Sequence, residues 1–119
     1  MSRNAATTDR LRKLISRIIS VTDNGELRWE KQVGSAHRYA QLNNNLLILG
    51  PDASLSDPKT PRYLFITPFD SPACIEINSD DAELGPEVHR LAEQVEIATR
   101  DEPPTDPFAV TEELLNSLD

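Results

Sequence analysis

The 119-residue chain is poor in the residues on which most small binding sites depend. It has one cysteine, two histidines and four glycines, and aromatic residues make up 5% of it. The single cysteine, Cys74, excludes an internal disulfide, so we expect a reducing cytoplasm as its compartment. Its apolar surroundings predict a small core residue rather than a nucleophile. Because Cys74, His37 and His89 are at least 15 residues apart, we expect no zinc site.

Long apolar runs and the motifs of common enzymes are also missing. The longest fully apolar run, 46–49, is far shorter than the roughly 20 residues that cross a bilayer, and residues 1–8 lack the apolar core of a secretory signal. No glycines are paired to bind a phosphate, and no serine or cysteine stands in a known nucleophile context. The adjacent acids Asp80 and Asp81 indicate a helix start rather than an acid–base couple. We therefore expect no membrane contact, no cofactor and no enzymatic activity.

What the chain does have is enough hydrophobic residues for one folded domain and an uneven distribution of charge. Leu, Ile, Val and Phe make up about a quarter of the residues, above the range of disordered chains. The net charge is −8, with +4 in residues 1–62 and −12 in residues 63–119. The two halves can face each other within one fold or between copies, or the acidic half can face a basic partner. Ordinary solvated faces are the simplest alternative.

Hydrophobic periodicity predicts a helix, about five short strands and then two helices. Leu11 to Ile19 follow a helical pattern, with Thr7 or Thr8 as the cap and Asn24 or Gly25 as the end. Alternation around Trp29 predicts a strand with this tryptophan in the core, and 43–45 read as a hairpin turn. The predicted strands are 26–30, 37–42, 46–49, 63–67 and 73–77, with Ile75 and Ile77 facing the core. The fold class is therefore α+β, an antiparallel β-meander with an N-terminal helix and two C-terminal helices packed on the sheet.

The C-terminal part divides into a helix, a linker and a second helix. Val88, Leu91, Val95 and Ala98 predict one apolar face for the helix after the sheet. Several prolines interrupt the acidic stretch that follows. We therefore expect a single domain over 1–100, a Pro-rich acidic linker over 101–107 and an amphipathic helix over 108–119.

Several of these residues resemble a type of small uncharacterised bacterial protein. The resemblance rests on Gly25-Glu26-Leu27-Arg28-Trp29, Tyr39-Ala40, Tyr63-Leu64-Phe65-Ile66 and Ile75-Glu76-Ile77, and on the ending with Leu91 to Arg100 and Glu112-Glu113-Leu114-Leu115. Those proteins have a "GKIxW"-type strand after an N-terminal helix, an antiparallel meander and two C-terminal helices. The resemblance implies an accessory protein, of the kind found in mobile-element or defence-linked gene neighbourhoods. The Pro-rich stretch 50–61 departs from the pattern, and no functional residue is transferred.

The sequence predicts a surface that binds another protein, a basic one among the candidates. An amphipathic helix on a proline-rich tether can reach a partner's groove, or can dock on its own domain. The predicted contact residues are Phe108, Val110, Leu114, Leu115, Leu118, Glu112 and Glu113.

Two alternatives stay open at this point. The acidic half can imitate nucleic-acid phosphates and inhibit a protein that binds DNA or RNA. The first helix can itself contact nucleic acid through the basic residues Arg10, Lys13 and Arg17, although the net charge makes such binding the less expected outcome. A homo-oligomer formed through the first or last helix is a further expectation.

Overall fold

The fold is an α+β arrangement of one antiparallel sheet and two helices. The computed structural model describes residues 4–51, 61–104 and 106. The elements are α1 (Ala5–Asp23), β1 (Glu30–Lys31), β2 (Arg38–Leu42), β3 (Asn45–Gly50), β4 (Tyr63–Pro68), β5 (Ile75–Asn78) and α2 (Gly85–Thr99). The strands are neighbours in chain order and pair antiparallel, which confirms the meander. In this part of the chain one helix follows the sheet, and the helix predicted over 108–119 lies outside the described residues.

The first helix begins earlier than its sequence predicts. The cap is Asn4, whose side-chain oxygen accepts a hydrogen bond of 2.8 Å from the backbone N–H of Thr7. Thr7 and Thr8 are therefore inside the helix, and the prediction that one of them is the cap was wrong. At the other end Gly25, at φ +82°, has the left-handed conformation that ends the helix, which glycine adopts without steric cost.

A turn stabilised by the Asp81 side chain leads into the second helix. The Asp81 carboxylate accepts hydrogen bonds of 2.9 Å from the backbone N–H groups of Glu83 and Leu84. This turn leads directly into α2, with Pro86 in its first turn, where the missing proline N–H costs nothing. The N-cap of α2 is Leu84, without a side-chain cap, so Asp81 stabilises the turn before the helix and the prediction that one of these acids caps it was wrong.

The asparagine turn forms a tight hairpin between β2 and β3. Asn43 and Asn44 have φ values of +48° and +63°, the two left-handed residues of a type I′ turn. Leu42 pairs with Asn45 across it, so Asn45 already belongs to the return strand. This register decides which side chains of β3 point toward the helices.

One face of the sheet and both helices share a single hydrophobic core. On the sheet, residues that alternate along the strands and pair across them point to the same side. Trp29 is 2% exposed in this core, as predicted. The sheet residues in the core are Ala40, Leu47, Leu49, Leu64, Ile66 and Ile77, and the helix residues are Ile15, Ile18, Ile19, Val21, Val88, Leu91, Ala92 and Val95.

Three expected core residues lie at the surface instead. Cys74 is exposed because it precedes β5 at the outer edge of the sheet. Ile75, in the same edge strand, is 39% exposed, whereas Ile77 is buried as predicted. Ala98 is exposed and Ala92 is buried, so the buried side of α2 includes Ala92 and not Ala98.

Two buried threonines link the ends of the helices to the sheet side of the core. The Trp29 Nε1–H donates to Thr22 Oγ1 at 3.0 Å, and that hydroxyl donates to the Ile18 carbonyl at 2.7 Å. In α2, Arg38 Nε–H donates to Thr99 Oγ1 at 3.1 Å, and this hydroxyl donates to the Val95 carbonyl at 2.7 Å. Each threonine therefore satisfies a buried donor from the neighbouring layer.

Among the described residues, neither helix is long and apolar enough to cross a membrane.

Replacing Thr22 with valine should destabilise the fold by about 1–3 kcal/mol, because the buried Trp29 N–H loses its acceptor while the volume stays nearly the same. Urea unfolding followed by the fluorescence of this single tryptophan measures the effect. Thr22→Ser keeps the hydroxyl and should lose clearly less stability. Equal losses in the two variants would show that the hydrogen bond contributes nothing.

Candidate functional site

The face of the sheet opposite the helices, here named the open face, is apolar and partly exposed. Because side chains alternate along each strand, the pairing register places one cross-strand row on it, from Tyr39 through Ile48 and Phe65 to Glu76. Every side chain of this face is half-buried or exposed, and none belongs to the core cluster. The open face consists of Tyr39, Gln41, Leu46, Ile48, Tyr63, Phe65, Thr67 and Glu76.

Aromatic rings pack against one another at one end of this face. The Tyr63 and Phe65 rings meet edge to face, with centroids 4.7 Å apart, and the His37 ring lies 5.3 Å from that of Tyr63. His37 Nε2 and the Tyr63 hydroxyl also form a hydrogen bond. Gly50 allows this approach, because a Cβ there would lie 2.9 Å from the His37 ring.

Hydrogen bonds hold the neighbouring polar groups in place. The Ser35 and Tyr39 hydroxyls are 3.0 Å apart, and the His37 backbone N–H donates to Ser35 Oγ at 3.1 Å. Ser35 therefore contacts the backbone of His37 and not its ring, so these residues do not form a serine–histidine nucleophile pair. The arrangement presents fixed rings and hydroxyls that suit binding.

The pKa of Tyr63 is raised above its ordinary value of 10.0. Burial is the main cause, because it disfavours the charged phenolate. Nearby Tyr39 and Glu76 act in the same direction. Since the pKa in the folded state lies above that of the unfolded chain, the neutral ring contributes stability below about pH 10, and this contribution is lost as the pH rises through the folded-state pKa.

Alkaline titration of the two tyrosines should therefore show Tyr63 ionising at a pH above its ordinary pKa. The tyrosinate absorbance of the folded protein measures this. Tyr63→Phe should remove the late-titrating step, while Tyr39→Phe should keep it. A Tyr63→Phe protein that retains this step would contradict the assignment.

Carboxylates outnumber cations around the open face. A groove of about 660 Å³ lies at its β1 end, lined in part by Glu26, Arg28, Glu30, Tyr39 and Leu46. The two glutamates and Arg28 are exposed, as is Glu76 on the far side of the face. The open face therefore joins an apolar, aromatic centre to a rim that is net negative.

A second groove, here named the basic groove, lies between the β1–β2 loop and the end of α2. It encloses about 720 Å³, and its lining includes Lys31, Arg38, Glu96, Arg100 and Pro104. The Lys31 ammonium donates to the Arg100 carbonyl at 3.4 Å, which places a cation at the negative end of the helix dipole. Three cationic side chains from separate elements thus line this groove with one carboxylate.

Ion pairs join the two oppositely charged halves within the fold. Arg12 of α1 lies 3.5 Å from Glu87 of α2, and Arg62 lies 3.0 Å from Glu96. Arg62 also approaches His89 Nδ1 at 3.3 Å. Part of the charge difference between the two halves is therefore neutralised by ion pairs within one molecule.

The structure describes one of the two predicted sets of contact residues. Arg10, Lys13 and Arg17 are all exposed on α1, at spacings that place them on one side of the helix. The other set, Phe108, Val110, Glu112, Glu113, Leu114, Leu115 and Leu118, lies outside the described residues.

The open face itself was not anticipated from the sequence. Its signal was present in the unbroken apolar runs 46–49 and 63–66. A strand buried on one face alternates, whereas an unbroken run places apolar side chains on both faces.

In the part of the chain that the structure describes, no group of three His, Cys, Asp or Glu side chains could hold a metal ion.

Comparison with known proteins gives no relative: no family model matches the chain, and neither a curated protein nor a solved structure is similar to it.

Proposed function

We propose that this protein is a non-enzymatic interaction module that binds a basic protein through its open face. The observation that supports this is the cluster of five apolar or aromatic side chains that share one partly exposed sheet face inside an acidic rim. These are Tyr39, Leu46, Ile48, Tyr63 and Phe65. A bacterial accessory role, in a mobile-element or defence-linked system, belongs to the same proposal.

Contiguous exposed apolar surface is uncommon on proteins that act alone and marks interaction sites. Aromatic side chains are the typical anchors of such sites, because they bury a large area with few rotatable bonds. Tyr63 and Phe65 are already packed against each other, so little side-chain freedom is left to lose on binding. The face is thus well suited to contact another protein.

The rim determines the chemistry of the partner. Among the described residues, the exposed charged side chains around this face are three carboxylates and one cation. They are Glu26, Glu30, Glu76 and Arg28. A partner with an apolar centre flanked by lysine or arginine is complementary to this surface. The whole-chain charge of −8 would steer such a partner toward it.

The C-terminal residues 108–119, predicted as a second C-terminal helix, are the alternative contact surface for the same partner. Their apolar side and the pair Glu112–Glu113 have the same combination of chemistry as the open face. A homo-oligomer formed through α1 or through this segment is the corresponding proposal for self-association.

Affinity purification from the native host should recover a stoichiometric basic partner with the wild-type chain. The double variant Ile48→Glu with Phe65→Glu should lose it, because two charges then interrupt the apolar centre. Glu76→Lys should weaken capture, and the effect of that variant should shrink as salt is added.

The matched control is Ile97→Gln, which removes an apolar side chain that is 64% exposed on α2. It should capture the partner as the wild type does. If the double variant retains the partner and deletion of 108–119 loses it, the partner binds the C-terminal segment and not the open face. Circular dichroism of each variant shows that a loss does not come from unfolding.

A second candidate function is nucleic-acid contact through α1. Arg10, Lys13 and Arg17 share one side of the helix and have no ion-pair partner among the described residues. Phosphate contacts of this kind weaken steeply as salt increases.

Under this candidate, gel retardation of DNA or RNA at low salt should be abolished by changing all three of these residues to glutamine. Arg28→Gln with Arg90→Gln, both exposed elsewhere, should leave it unchanged. No retardation of either nucleic acid by the wild-type chain would remove the candidate.

The third candidate, a mimic of nucleic-acid phosphates, relies on the acids of residues 63–119. Two of these, Glu87 and Glu96, already form ion pairs with Arg12 and Arg62, so the remaining carboxylates would have to provide the binding.

A further inference from the structure

The basic groove has the chemistry to bind an acidic segment. Lys31 comes from β1, Arg38 from β2 and Arg100 from the end of α2, and Glu96 is the one carboxylate among the described residues of the lining. Arg38 is held in a fixed orientation by Thr99 and by the His37 carbonyl. The groove volume of about 720 Å³ lies within the range of 300–1,000 Å³ that is usual for ligand sites.

The chain itself brings an acidic segment to this groove. Pro104 lines it, so the residues that follow start at its wall. Glu112 is eight residues farther on, a distance of about 12 Å if the segment is helical and at most about 28 Å if it is extended. A segment that begins this close to the groove needs no long tether to reach it.

The charge and the apolar character of the two surfaces match. Residues 107–119 contain three acids, Glu112, Glu113 and Asp119, and no lysine, arginine or histidine. Val33 in the groove is 55% exposed, and Ile97, one helical turn before Arg100, is 64% exposed. The segment supplies apolar residues to cover them, namely Phe108, Val110, Leu114, Leu115 and Leu118.

We propose that residues 107–119 dock in the basic groove of their own molecule, with Glu112 and Glu113 toward Lys31 and Arg100. The effective concentration of a segment attached at the groove wall is high, which favours the same molecule over a second copy. This docking occupies the C-terminal segment and leaves the open face as the surface for a partner.

Paramagnetic relaxation enhancement on the full chain tests this proposal. A nitroxide is attached at Ser117→Cys in a Cys74→Ser background, so that the label has one site. The amide signals of Val33, Gly34 and Arg100 should lose intensity, while those of Phe69 and Asp70 at the β4–β5 turn should keep it. No loss at the groove, or a loss at the open face instead, would overturn the proposal.

Charge exchange then identifies the contact. Lys31→Glu with Arg100→Glu should reduce the intensity loss at Val33 and Gly34, and adding Glu112→Lys with Glu113→Lys should restore it. Arg10→Glu with Lys13→Glu, the same charge change on α1, should have no effect. Intensity loss that is insensitive to the first pair, or not restored by the second, would overturn the assigned contacts.

A mixture of chains that carry only the nitroxide with chains that carry only the isotope label distinguishes docking within one molecule from docking between two copies. Docking within one molecule gives no intensity loss in this mixture. A loss at Val33 and Gly34 in the mixture would show that a second copy supplies the segment, and would overturn the proposal. None of these variants changes a residue of the open face, so an absence of docking in the groove leaves the proposed function untouched.

Discussion

The hydrogen bonds of two threonines fix how the helices sit against the sheet. Thr22 and Thr99 each lie near the end of a helix, donate to the carbonyl four residues earlier and accept from a buried donor of the sheet side. The buried donors, on Trp29 and Arg38, could not be taken out of water without an acceptor. Hydrophobic burial provides most of the stabilisation, but it is not directional. These hydrogen bonds define the relative position of the layers.

Because both helices pack on one side, the sheet has two faces with different roles. The covered face contributes its aliphatic residues to the core. The open face keeps aromatic and apolar residues at the surface inside an acidic rim. These residues lie outside the core cluster, and their exposure is the observation on which the proposed binding function rests. The same asymmetry makes the open face separable from the core by mutation.

Charge is used differently at different places in the molecule. Between the helices and the sheet, bases of the first half pair with acids of the second, as in Arg62–Glu96. The side chains of this pair are partly buried, and its main effect is on the orientation of α2 against the sheet. Among the described residues, acidic side chains are in excess around the open face and basic side chains in the basic groove. These are the two surfaces whose charge favours an oppositely charged partner or segment.

The sequence by itself determined the elements, because local chemistry decides them. Helical spacing in 11–19 and the Asn43–Asn44 turn follow from backbone preference and from the period of burial. The alternation over 26–30 correctly indicated that Trp29 is buried, but the strand predicted there was wrong in its bounds, because β1 comprises only Glu30–Lys31. Exposure at the edge of the sheet could not be predicted in this way. Cys74 and Ile75 have the sequence pattern of core residues, but they are exposed because they lie at and just before the outer strand β5. Likewise, the apolar runs in β3 and β4 showed that both faces are hydrophobic, whereas only the packing of α1 and α2 on one side decided which face stays open. The basic groove was decided by tertiary structure alone, since Lys31 and Arg100 are distant in the chain and meet only after α2 folds back beside β1.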